Sequence, residues 1–316
     1  MRVTLLLDAY PDTLAFALPL QDELVRRGLY VNVVIARPAY ERNAHLAPVI
    51  VSHFPAAALE DVHSEAEVDA LLDGHLVINL LKADVPLALD AWENHAASGM
   101  VRIFRGLGDG VFYRGRHETI LGDIGFVFDE ASRAASHPFE DRLHVVGSLK
   151  AQHFRSLPPL PRRDLLTLAL DNVPNVAPVN AVFDDAFAAI RSAEFHGMSI
   201  RKRHHIGSTD AEIAAIDAAV RFRFDEVSSD PVEDDMRTCS RWVCFAGSAT
   251  AMEATLFGTP VAVLPMPGRM SGPYPELRCA EDLAAFVRDC GPRMPSPEPV
   301  DTAALICDVI EERWGR

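Results

Sequence analysis

Positive charge is scarce in this chain. Thirty Lys and Arg face 45 Asp and Glu over 316 residues, a formal charge of −15. Nucleic-acid binding works by counterion release through clustered cations, so this balance excludes an ordinary nucleic-acid binder. It allows at most peripheral contact with an anionic membrane. Long apolar runs are missing too: no uncharged window of roughly 18 residues occurs, so no transmembrane helix is expected. The opening MRVTLLLDAYPD carries an acid at position 8 and too short an apolar run for a signal peptide, which points to a cytoplasmic protein. Cysteine is limited to Cys239, Cys244, Cys279, Cys290 and Cys307, with no CxxC. An odd, clustered set fits buried reduced thiols better than a disulfide framework. The 12 His show neither HExxH nor paired-ligand spacing, so no metal is expected. Neither GxGxxG nor GxxxxGK[ST] occurs, which removes support from NAD and P-loop readings. No internal repeat or low-complexity tract is present.

What remains is an ordinary globular composition, 49% hydrophobic and 24% charged. At roughly 150 residues per domain the length suits two domains. Val3–Leu7 is a continuous apolar run, as in a parallel strand buried on both faces. A helix follows, started by Asp12 and ended by Gly28. Strands are expected at Val31–Ala36, Val49–Val51, His75–Leu80, Val101–Phe104, Phe126–Phe128 and Leu143–Val146, with helices such as Ser64–Leu72 and Pro86–Ala97 between them. SLPPLPRR at 156–163 reads as a linker. A second series follows: strands Leu165–Leu170, Met198–Arg203, Trp242–Ala246 and Val261–Leu264, and helices Asn180–Ser192, Asp210–Val220, Ala249–Phe257, Ala280–Asp289 and Thr302–Arg313. Alternation at this spacing implies an α/β fold of two Rossmann-like β/α/β domains with a cleft between them. The expected division is 1–157, 158–300 and a terminal helix at 301–316 that packs back on the first domain or against a partner.

Three segments can carry chemistry. WVCFAGSATAMEATLFGTPVAVL at 242–264 places Gly247 and Ser248 in a tight turn between a buried strand and a helix. The free N–H groups of that helix start favour an anion. Ser248 and Thr250 add hydroxyls for phosphate, and Glu253 can accept from ribose. The plain alternative is a strand–turn–helix with a serine cap. IRKRHH at 200–205 puts His204 and His205 at the carboxyl end of a strand, where Arg201, Lys202 and Arg203 make a cationic spot for a polyanion, or else a solvated edge. FRGLGDGVFYRG at 104–115 follows a strand of the first half and holds Asp109, a candidate general base or simply an Asp-Gly turn.

Together these features resemble glycosyltransferases of the GT-B type. More narrowly, the three segments are similar to the motifs of bacterial sialyltransferases and their capsule and lipopolysaccharide relatives: acidic-acidic-Gly, Lys-x-His-Pro and a Ser-rich motif. Asp109–Gly110, Lys202 with His204, and Ser248 match them. Gly108 stands at the first acidic position, His205 replaces the proline, and Ala249 stands where a second serine is common. CDP-glycerol phosphotransferases and Kdo transferases share versions of the last two. The resemblance implies an inverting, metal-independent transfer from a nucleotide-sugar donor. It gives Asp109 as the base, His204 and Lys202 on the leaving phosphate, Gly247, Ser248 and Thr250 holding that phosphate, and Glu253 on the nucleoside. The leading donor is a CMP-linked nonulosonic acid such as sialic acid, pseudaminic acid or Kdo. The acceptor is a glycan, lipid-linked or protein hydroxyl. Two further readings stay open: a non-hydrolysing UDP-sugar epimerase of the same architecture, and a non-catalytic binding protein on this fold.

Overall fold

The computed structural model describes residues 1–7, 13–36, 47–54, 58–60, 74–80, 99–103, 123–135, 140–170, 176–289 and 299–315. In chain order the elements are β1 (Arg2–Leu7), α1 (Leu14–Arg26), β2 (Tyr30–Ala36), α2 (Ala47–His53), β3 (Ala58–Glu60), β4 (His75–Asn79), β5 (Gly99–Ile103), β6 (Ile124–Val127), α3 (Glu130–Ala135), β7 (Leu143–Val145) and α4 (Leu149–Ser156). There follow β8 (Leu165–Ala169), α5 (Ala177–Val182), α6 (Asp185–Glu194), β9 (Ser199–Arg203), α7 (Asp210–Ala219), β10 (Glu226–Ser228), α8 (Val232–Thr238), β11 (Arg241–Phe245), α9 (Ala249–Leu256), β12 (Val261–Leu264), α10 (Ala280–Asp289) and α11 (Thr302–Trp314). They fall into two compact units, Met1–Ser156 with Pro299–Arg316, and Leu157–Glu298.

The first unit holds a parallel sheet in the order β3-β2-β1-β4-β5-β6-β7. Its interior strand β1, between β2 and β4, buries Val3, Leu5, Leu6 and Leu7 completely. Both faces of such a strand are covered, so from Val3 to Leu7 it is apolar apart from the buried Thr4, instead of alternating. Helix α1 ends in a Schellman arrangement, with Gly28 N–H donating to Val25 O and Leu29 N–H to Leu24 O. Two expectations change here. Val49–Val51 lies inside helix α2, with Ile50 buried and its two neighbours exposed. Three β-branched residues favour a strand locally, but burying one residue per turn suits a surface helix. Asp12 lies outside the described residues, and the position before α1 is Thr13, whose side chain makes no capping bond. The proposed helices 64–72 and 86–97 also lie outside the described residues.

The last helix, α11, belongs to the first unit and is tied to α1 by one arginine. Arg27 reaches Glu23 at 2.7 Å, Asp308 at 2.7 Å and Glu311 at 2.8 Å, and donates to Ala304 O at 3.0 Å. Gln152 of α4 adds bonds to Asp301 and to the Ala303 N–H, each 2.9 Å. Glu23 is buried, and its hydrogen bonds from Arg26 and then Arg27 outweigh desolvation, taking its pKa down to about 2. A carboxylate with a depressed folded pKa stabilises above its unfolded value, about 4.5, and loses that contribution as pH falls toward about 2. Thermal unfolding should therefore show a smaller acid loss between these values in Glu23→Gln than in the parent chain. Parallel acid profiles would place Glu23 outside this network.

The second unit is a parallel sheet in the order β10-β9-β8-β11-β12. β8, β11 and β12 are apolar apart from Thr167 in β8 and Arg241 at the start of β11, and the edge strand β10 is short, with Val227 exposed. One face carries Leu166, Leu168, Ile200, Val243 and Phe245 against α5, α6 and α10. The other carries Leu165, Trp242, Cys244 and Val263 against α8 and α9. The expected helix 180–192 is two helices, because Asp184 accepts from the N–H groups of Ala186 (2.9 Å) and Phe187 (3.2 Å) and so caps α6. Strand β10 and helix α8 were not anticipated. Cys239, Cys244 and Cys307 are buried free thiols, each pushed up to about 12 by burial, Cys279 is half-buried, and Cys290 lies outside the described residues. No described helix is long and apolar enough to cross a membrane.

Candidate functional site

The strand order of the second sheet reverses between β8 and β11, since β8 pairs with β9 on one side and β11 on the other. In open α/β sheets the carboxyl ends at such a switch point are where ligands bind. β11 ends there at Phe245, and the chain turns through Ala246–Ser248 into α9. Gly247 sits at φ +75°, a backbone conformation that other residues adopt only with strain. Gly247 and Ala249 are exposed, and Ser248 and Thr250 are half-buried, so the turn is open to solvent.

Ser248 occupies the N-cap position in extended conformation, yet its side chain makes no capping bond. Its Oγ lies 2.9 Å from Thr250 Oγ1, which in turn accepts from Trp242 Nε1 at 3.4 Å. By contrast, Thr209 closes a full capping box on α7 with Glu212. The serine therefore leaves the N–H groups of Ala249 and Thr250 available to an anion, while that of Ala251 donates to Ser248 O at 3.2 Å, and the helix dipole adds to the attraction. Ala251 and Ala254 lock α9 against Trp242 and Val263, which fixes the direction of those groups. Glu253, about one turn further in, is 4% exposed.

β9 changes the reading of IRKRHH. Its side chains alternate, so Arg201 and Arg203 share one face and Lys202 the other. Both arginines are buried around Asp235, which has no exposure at all. Arg201 Nη1 stands 2.9 Å from Asp235 Oδ1, Arg203 Nη1 bonds Oδ2, and Ser228 Oγ donates to Oδ1 at 2.9 Å. Burial pushes the Asp235 carboxyl up, and the two guanidiniums with Ser228 oppose that rise. Lys202 is paired with Asp217 at 2.5 Å. The expected cationic spot is thus corrected: its arginines hold the fold together, because a buried carboxylate on α8 claims them.

His204 follows directly, at the carboxyl end of β9. Its side chain is 9% exposed, and Nε2 lies 3.1 Å from Asp217 Oδ1. That contact is not aligned as a hydrogen bond, and both ring nitrogens lack an aligned partner, as does the buried Ser208 Oγ. Burial holds the His204 pKa below its ordinary value against the pull of Asp217, so the ring is neutral at neutral pH. A neutral imidazole can accept or donate one proton. The register aligns Lys202 with Leu168 and Leu168 with Val243. His204 is therefore level with Phe245, the last residue of β11, two strand spacings away, about 10 Å, and the Gly247–Ser248 turn follows Phe245 on the same edge. Gly247, Ser248, Thr250 and Glu253 cluster at α9, and Lys202 and His204 cluster with Asp217. Asp109 lies outside the described residues. Among the described residues no His, Cys, Asp or Glu group is arranged to hold a metal.

No protein-family model and no curated protein matches the sequence. Solved structures do match along the whole chain. The S. aureus protein MnaA, solved with UDP, has a TM-score of 0.66 at 11% identity, covering 99% of this chain and 97% of its own. The UDP-GlcNAc 2-epimerase of Neisseria meningitidis bound to UDP-GlcNAc gives 0.62 at 12%, covering 99% and 100%. The Methanocaldococcus jannaschii UDP-GlcNAc 2-epimerase in complex with UDP-GlcNAc and UDP gives 0.63 at 12%, covering 99% and 100%. The chain therefore has the α/β fold of two Rossmann-like units, of GT-B type, that its sequence led us to expect. These structures support the GT-B type without singling out sialyltransferases.

Proposed function

We propose that the protein is a nucleotide-sugar enzyme that takes a UDP-linked N-acetylhexosamine and inverts its carbon 2, the epimerase alternative drawn from the sequence. The observation that carries this is the end-to-end likeness to proteins solved with UDP or UDP-GlcNAc, at TM-scores of 0.62–0.66. It favours a UDP-linked over a CMP-linked ligand and gives no support to nonulosonic-acid transfer. The local chemistry is compatible. The α9 start, with Gly247, Ser248 and Thr250, holds the diphosphate, and Glu253 takes the ribose hydroxyls. Inversion without a redox cofactor takes the carbon-2 proton as the bond from carbon 1 to the UDP oxygen breaks, which leaves a carbon 1–carbon 2 double bond and free UDP, and then returns a proton to the opposite face of carbon 2 as UDP adds back to carbon 1; this requires groups able to exchange a proton. Asp109 and the neutral His204 are the proposed exchangers, and Lys202 acts through its pair with Asp217.

The test is incubation of UDP-GlcNAc with the protein alone in D2O. The carbon-2 epimer should appear without any acceptor and carry deuterium at that carbon, read by proton NMR. Asp109→Asn should stop conversion and leave UDP binding intact. An unchanged UDP-GlcNAc pool, with transfer from a CMP-sugar to an added glycan, would replace this function with the transferase one.

A further inference from the structure

The loop after β12 leads to a phosphate-reading residue that the sequence motifs passed over. A Cβ placed on Gly247 would meet Arg269 Cδ at 3.0 Å, Cβ at 3.3 Å and Cγ at 3.4 Å. The whole stem of Arg269 thus lies along the turn that opens α9. The loop is fixed at both ends. Gly268 turns it at φ +76°, and Arg269 N–H donates to Met266 O at 3.1 Å. At the far end Val263 N–H donates to Pro275 O at 2.9 Å and Leu277 N–H to Val263 O at 2.8 Å, while Ser271 bonds Glu276. A separate sign of a polar ligand stands at the carboxyl end of β9. His204 and, four residues on, Ser208, each nine-tenths buried, carry polar atoms without an aligned hydrogen bond.

We propose that Arg269 binds the second phosphate of the nucleotide and sets the preference for a diphosphate over a monophosphate. The inference rests on the nucleotide-sugar function proposed above. A helix start supplies about half a unit charge, which suits one phosphate. A diphosphate needs a full cation beside it, and a guanidinium meets phosphate oxygens in a bidentate fork. The absence of a side chain at Gly247 lets the Arg269 stem lie close enough to the turn to deliver that fork.

Calorimetric titration of UDP and UMP into the parent chain and into Arg269→Met, Arg269→Lys and Arg269→Ala tests this. Methionine keeps much of the stem and removes the charge. Arg269→Met should weaken UDP about tenfold or more and UMP by no more than about twofold, with Arg269→Lys recovering part of the loss. Arg269→Ala should do at least as much damage to UDP. UDP affinity within about twofold of the parent in Arg269→Met, or equal losses for UDP and UMP, would overturn the assignment and leave the proposed function standing. A parent chain that fails to bind UDP would overturn both.

Discussion

Asp235→Ala is expected to destabilise the second unit by about 3–5 kcal/mol, the range for breaking a buried ion pair from one side. The carboxylate is fully buried and faces two guanidiniums that are themselves 4% and 7% exposed. Removing it leaves two cations in the interior. Arg201 keeps only Thr167 Oγ1 at 3.1 Å and weak contacts at 3.4 Å to Asp235 O and Thr238 Oγ1. Arg203 keeps Asp230 O at 3.3 Å. None of these neutralises charge. The loss appears as a lower urea midpoint for unfolding of this unit. Replacing all three residues by apolar ones of similar size should recover most of it, because the desolvation penalty then disappears together with the attraction. A loss in Asp235→Ala below about 1 kcal/mol would mean that water reaches the guanidiniums.

Gly247→Ala is expected to weaken UDP binding by roughly 10- to 150-fold, the equivalent of one lost charge-assisted contact of about 1.5–3 kcal/mol. The backbone angle of +75° alone costs a side chain about 1–2 kcal/mol in stability. The new methyl also meets the Arg269 stem at 3.0 Å and pushes the guanidinium away from the phosphates. Gly258→Ala separates the two effects. Its φ is +66°, yet nothing lies within 4 Å of the added carbon. It should lose similar stability and bind UDP normally. Equal binding by the two variants would remove Arg269 and the turn from the site.

The sheets were legible because their central strands are buried on both faces. Runs such as Leu5–Leu7, Trp242–Phe245 and Val261–Leu264 have no polar interruption, and parallel pairing then requires helical crossovers. Val49–Val51 was misread because β propensity follows residue type, whereas the burial of Ile50 alone follows the helix it belongs to. Strand β10 and helix α8 escaped because their sequences, EVS and VEDDMRT, are mostly polar. What anchors α8 is Asp235, and its partners Arg201 and Arg203 lie more than thirty residues earlier. Alternation along β9 places those two arginines on one face, and nothing in the sequence pairs that face with an acid. Position in the strand–turn–helix is what made Gly247 and Ser248 visible, since their role depends on local geometry. Arg269 was invisible for the opposite reason: its stem meets Gly247 across 22 positions of chain. The glycines of PGRMSG around it were the one available hint of a shaped loop.

The most direct test of the central claim is a crystal structure of the chain with UDP. The account predicts the diphosphate at the start of α9, within hydrogen-bond distance of the Ala249 and Thr250 N–H groups, with Arg269 on the outer phosphate and the ribose near Glu253. UDP bound elsewhere, with the turn at Gly247 empty, would contradict it.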